Sequence, residues 1–276
     1  MYGILSIPEQ SSRRGVLIVV GGPQYRVGSH RQFALLAQFL SAHGIPVMRF
    51  DYRGMGDSEG EGRTFEDIDE DIRRAIDAFQ MHVPGTREVV IWGLCDAASA
   101  ALFYAHRDPR VTGLVLLNPW IRTEQGAAKA YLKHYYTRQL LSRQFWSKAL
   151  RFRLDFSGAA KSFFRMAATT LRPVRPAPVL SSGTNPWGSG GIHESLPERM
   201  LAGLREFEGP VLFILSGKDL TAKEFLDCTA ASVEWRTLLG SSRVQFRRHP
   251  DANHTFSSRA WRDQVALWTK DWMGSW

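Results

Sequence analysis

The chain has 276 residues, 44% of them hydrophobic and 22% charged, with a net charge of +8. That length suits one large core with an insertion, and the balance is that of a globular domain, which excludes a disordered or fibrous chain. No apolar run reaches the roughly 18 residues of a membrane span, the N-terminus lacks the pattern of a secretory signal, and Cys95 and Cys228 alone make neither a disulfide framework nor a zinc site. A cytoplasmic location, no cofactor and no metal site are expected.

Val16-Leu17-Ile18-Val19-Val20 is an unbroken β-branched and apolar run, suited to a central parallel strand covered on both faces. Gly21-Gly22-Pro23-Gln24-Tyr25-Arg26 follows as a loop. Arg31 to His43 reads as a helix, with Phe33, Leu36 and Leu40 at helical spacing and Gly44 as its stop. Pro46 to Tyr52 is the next strand, and Arg53-Gly54-Met55-Gly56-Asp57-Ser58 its glycine-rich exit, where Asp57 and Ser58 suit a turn. Phe65 to Met81 is an amphipathic helix with Thr64 expected as its N-cap.

Val89 to Leu94 is another buried strand, and it runs through Gly93-Leu94-Cys95-Asp96-Ala97 into a helix of small residues. That is the layout of a nucleophile elbow, with Cys where Ser is usual and Ala where the last Gly is usual. The helix N-terminus after the turn offers free N–H groups to an anion at its tip. Val111 to Asn118 is the next buried strand.

Regular alternation stops at Pro119-Trp120 and resumes at Pro210 to Asp219, followed by a helix from about Ala222. Val244 to Arg248 is the last strand, and Arg259 to Trp272 a closing helix after the loop around His254. Strands alternating with helices imply right-handed crossovers and a parallel sheet, whose functional residues collect at the carboxyl ends of the strands. The division expected is a core of residues 1–120 and 208–276 with a mainly helical cap inserted at 121–207. From Ile121 to Arg205 there are 14 Lys and Arg against 4 Asp and Glu, so a near-neutral body carries a basic segment.

These loops in this order resemble the α/β-hydrolase fold, a mostly parallel central sheet with helices on both faces and a cap after the strand ending near Asn118. The family order of nucleophile, acid and histidine then implies Cys95, Asp219 and His254 as a catalytic set, with Asp227 and Asp251 as alternative acids. Asp219 also suits the N-cap of the helix that follows it. Gly21 to Arg26 together with Gly93 to Ser99 is similar to the exosortase A system-associated hydrolases of type 1, found with exopolysaccharide systems. The Cys-His-Asp set also resembles dienelactone hydrolase, although the segment between Asn118 and Pro210 is far longer here. The expected oxyanion donors are the N–H of Asp96 and one from the first loop. Pro23 has no N–H, so Gly22 or Gln24 is expected to supply that second donor.

The expected reaction is therefore hydrolysis of an ester, thioester or lactone, or acyl transfer, by a cysteine nucleophile. The other reading is a non-catalytic binding or accessory protein on the same scaffold. A small-molecule or acylated substrate is the expected partner. The basic segment, with Lys129, Arg143, Lys148 and Arg151, suits an anionic membrane surface or a lipid-linked glycan, peripheral to the inner membrane. No nucleic-acid motif is visible, and a nucleic-acid partner is not expected.

Overall fold

A computed structural model describes residues 1–22, 24–121 and 195–276. Most of the expected cap, including most of its basic segment, lies outside the described residues. By internal contacts the chain divides into one unit of Met1–Arg122 with Leu196–Trp276 and a second of Thr123–Ser195.

The first unit is built on a seven-stranded sheet in the order β1-β3-β2-β4-β5-β6-β7. β2 (Arg14–Val19), β3 (Val47–Asp51), β4 (Glu88–Leu94), β5 (Val111–Leu117), β6 (Val211–Ser216) and β7 (Val244–His249) run parallel. β2, β4, β5 and β6 coincide with apolar runs of the sequence, and Leu17, Ile18, Ile91, Leu116 and Ile214 have no exposed surface, whereas β7, at the sheet edge, exposes Arg247 and Arg248. A strand buried on both faces needs side chains of that kind at every position rather than at alternate ones. β1 (Tyr2–Ser6) pairs antiparallel with β3 at the edge. Its alternation is weak and it is largely exposed, so the apolar pattern does not announce it. Ser58, on the loop after β3, holds its start, accepting the Tyr2 N–H at 2.8 Å and donating to the Asp51 carbonyl at 2.6 Å.

Helices cover both faces. α1 (Gln32–Ala42) and α7 (Arg259–Met273) pack on one, over Val16, Ile18, Val90 and Leu212. α2 (Asp69–His82), α3 (Asp96–Tyr104), α4 (Leu196–Glu206), α5 (Leu220–Ala231) and α6 (Val233–Leu239) cover the other. α4 belongs to the core unit: Met200, Leu201 and Leu204 are buried in the same cluster as α3, and the core thus extends back to residue 196. Thr64 makes no capping bond to α2; a single 3-10 turn at Phe65–Asp67 intervenes, and α2 begins at Asp69. Among the described residues no helix is long and apolar enough to cross a membrane.

The order β3-β2-β4 reverses the direction in which strands are added. The loops leaving β2 and β4 therefore part to either side of a crevice at the carboxyl edge, where this type of sheet binds its ligands.

Candidate active site

β4 ends at Leu94 and α3 begins at Asp96, so the whole reversal falls on Cys95, at φ 64° and ψ −125°. A residue with a Cβ pays for that backbone, and the surroundings have to hold it. They do so through three bonds. The Cys95 N–H donates to Leu117 O at 2.9 Å, and its carbonyl accepts from Ala98 and from Trp120, each at 3.1 Å. Gly93 leaves room for the returning helix, because a Cβ there would lie 2.7 Å from the Ala97 carbonyl. Ala97, in the place where glycine is usual, fits with its methyl fully buried.

His254 lies on the loop between β7 and α7. Its Nδ1 is 2.9 Å from Asp219 Oδ2, and the imidazole also makes a side-chain hydrogen bond with Cys95. Burial alone would lower the imidazole pKa. The hydrogen bonds and charges of Asp219 and Cys95 outweigh it and push the group up to about 10. Asp219 is buried at the mouth of β6 and fills both roles open to it. Besides meeting His254, it caps α5, accepting from Thr221 N at 3.3 Å and Ala222 N at 3.1 Å. Asp251 instead pairs at the surface with Lys218, 2.9 Å away, and Asp227 lies within α5. Cys228 is on the same helix, packed against the core, where burial pushes its thiol up. Cys95, Asp219 and His254 are thus brought together, and the alternatives are not.

Asn118 belongs to the same constellation, although motif and order do not single it out. It ends β5 fully buried, at φ 41°. Its carboxamide accepts the Ser216 N–H at 2.9 Å and donates to Ser216 Oγ at 2.8 Å and to the His254 carbonyl at 2.9 Å. The ends of β5 and β6 and the histidine loop meet on one side chain. A polar residue closing the run Val111–Leu117 was the available signal, and a turn explains such a residue equally well.

The β2 exit loop is anchored from β3. Asp51, with no exposed surface, accepts the Arg26 N–H at 2.6 Å and pairs with its guanidinium, which also reaches Asp57 at 2.6 Å. Arg49 donates to the Arg26 carbonyl at 2.9 Å. The donors expected from this loop are arranged differently from the sequence reading. Gly22 N–H is already engaged, donating to Asp96 Oδ2 at 2.8 Å, while Ala97 N–H donates to Asp96 Oδ1 at 2.9 Å. Gln24 uses its side-chain oxygen to accept the Ser29 N–H at 3.2 Å. Pro23 lies outside the described residues.

A strained elbow, an acid-oriented histidine and a helix N-terminus at the switch point of a parallel sheet define a hydrolase-type site. The model of the alpha/beta hydrolase family matches residues 16–266, and the chain belongs to that family. Among curated proteins it is similar to a polyketide transferase of Penicillium sp., 28% identical over 117 residues, 40% of this chain and 39% of that one. The chain therefore matches well under half of that relative's length. Among solved structures it is similar to an esterase of Pyrococcus furiosus, with 14% identity, a TM-score of 0.60 and 96% and 82% of the two chains covered. It is also similar to an alpha-beta serine hydrolase homologue from Coxiella burnetii, at 14% identity and TM-score 0.53, covering 96% and 89%.

These likenesses correct the expected cysteine-nucleophile acyl hydrolase or acyltransferase. The structural relatives are named for ester and serine-type hydrolysis, and nothing in them supports a thiol triad. The physical reason is that the reaction class travels with the elbow, the acid–histidine pair and the helix N-terminus. The atom at the elbow tip does not identify it. What stands is an α/β-hydrolase fold in a member of the alpha/beta hydrolase family.

Proposed function

We propose that this protein hydrolyses an ester-type bond in a small acyl substrate, with the His254–Asp219 pair as its proton-transfer machinery and the Asp96 N–H as oxyanion donor. The observation that carries the reading is the 2.9 Å contact of His254 with Asp219, on a ring that faces the elbow. In such a pair the carboxylate fixes the tautomer and stabilises the imidazolium, and the other ring nitrogen moves the proton of the attacking group to the leaving group. The α3 N-terminus offers its first N–H to the charge that develops on the carbonyl oxygen.

The narrower placement among exosortase-associated hydrolases is supported by the Gly21–Arg26 and Gly93–Ser99 motifs alone. Docking on an anionic membrane surface or a lipid-linked glycan is supported only by the basic composition of residues 121–205. The test of the reading is a series of p-nitrophenyl esters, acetate to decanoate, incubated with the wild-type chain and with His254→Ala. Turnover that disappears in the variant supports it; turnover equal in the two refutes it.

A further inference from the structure

The pair Gly21-Gly22 is shaped around one side chain. A Cβ on Gly21 would collide with Asp96 Oδ1 and come within 2.7 Å of the Leu94 carbonyl. The Gly22 N–H points at Asp96 Oδ2, and the N–H groups of Ala97 and of Asp96 itself face the same carboxylate. Those are the peptide groups from which an oxyanion hole at an elbow of this kind is drawn: the residue after the tip and the loop after β2. The anion they surround is internal.

We infer that the Asp96 carboxylate occupies the oxyanion site of this enzyme and holds down its rate on simple esters. The inference rests on the ester-hydrolase reading and adds what limits that site. Three consequences of the geometry combine. The Gly22 N–H, bonded to Oδ2, cannot also point at a substrate oxygen. Loss of one such donor typically costs 10²–10³ in rate. A tetrahedral oxyanion forming beside an ionised carboxylate meets a like charge in a half-buried place, which disfavours it further. The surroundings already resist the charge: burial pushes the Asp96 carboxyl above its ordinary range, against the three N–H groups and the nearby His254 that favour ionisation.

Asparagine at this position is the discriminating substitution. It has the same shape and no charge. Whichever way its amide turns, the NH₂ group faces one of the two N–H donors that the carboxylate satisfied, so that donor is released toward the site. Alanine removes the occupant altogether.

The experiment measures kcat and KM for p-nitrophenyl butyrate hydrolysis by wild type, Asp96→Asn, Asp96→Ala and the Asp96→Asn/His254→Ala double variant, with unfolding curves for each. The expected result is kcat at least tenfold above wild type in Asp96→Asn and Asp96→Ala, with KM within threefold. A structural role alone would lower kcat, not raise it. Unchanged, lower or undetectable turnover in Asp96→Asn with a wild-type unfolding curve overturns the inference. If Asp96→Asn is destabilised, the Asp96→Ala value decides by the same criterion, and loss of the fold in both assigns the contact a structural role and overturns it too. The double variant separates the two readings. A gain that survives loss of His254 would leave Asp96 as the brake and reject the acid–histidine mechanism.

Discussion

The Asn118 carboxamide donates to the His254 carbonyl at 2.9 Å while both its ends hold Ser216. One buried side chain thereby sets the height of the histidine loop against the strand that delivers Asp219. Asn118→Ala leaves the Ser216 N–H and the His254 carbonyl short of a partner, which costs about 1–3 kcal/mol for each group that stays buried. The expected outcome is a chain that still folds, with lower stability in a denaturant titration. Its kcat falls roughly 10–100-fold, since small misplacements of a catalytic group have effects of that order, and KM changes little. An unchanged kcat would show that the loop is held elsewhere.

Asp219 has two functions that substitution can separate. Asparagine retains an oxygen for the α5 cap but not the charge that orients and stabilises the imidazolium, so Asp219→Asn is expected to keep the unfolding midpoint and lose roughly 10⁴ in kcat. Alanine removes the cap as well, at about 1 kcal/mol. Steady-state kinetics alongside unfolding curves distinguish the two, and an Asn variant with near-normal turnover would remove Asp219 from the mechanism.

The central parallel strands β2, β4, β5 and β6 are legible because they are buried on both faces, and a strand in that position reads as an apolar run, as Val211–Leu215 does. The elbow was legible because Gly93 and Ala97 flank its tip, and packing of α3 on β4 demands small side chains there. The contact of Asp219 with His254 is legible from their places after β6 and β7. What escaped was of another kind. β1 is an exposed edge whose pairing depends on Ser58, 56 residues away from Tyr2. Asn118 and the seating of Asp96 on Gly22 are contacts across 98 and 74 residues. No local pattern encodes a partner so distant. The chemistry at the elbow escapes the sequence for a related reason: a sulfur atom at one position does not by itself identify the reaction.

The raised pKa of His254 links stability to pH. A histidine whose folded pKa lies above its ordinary value of about 6.5 binds its proton more tightly folded than unfolded. Its contribution is fully present below about 6.5 and is lost as pH rises through about 10. The thermal midpoint of wild type should therefore exceed that of His254→Gln most at pH 6, with the difference shrinking steadily toward pH 10.5. A difference that is constant over that range would mean that the imidazole holds its proton no more tightly than in the unfolded chain.

Cys95→Ser tests whether the architecture or the sulfur fixes the reaction class. The hydroxyl is smaller than the thiol and occupies the same elbow, within reach of the same imidazole. Ester hydrolysis by Cys95→Ser is expected within tenfold of wild type, measured on the preferred p-nitrophenyl ester. A loss beyond about 10³ would restore the thiol to the centre of the mechanism.

The most direct test of ester-bond hydrolysis by the His254–Asp219 pair is single-turnover and steady-state hydrolysis of the p-nitrophenyl ester series by wild type and His254→Ala, at matched, verified folding. Turnover of at least one ester above the protein-free rate, reduced by at least 10³ in the variant, is the predicted result. No turnover of any ester by wild type, or turnover in His254→Ala equal to that of wild type, would contradict it.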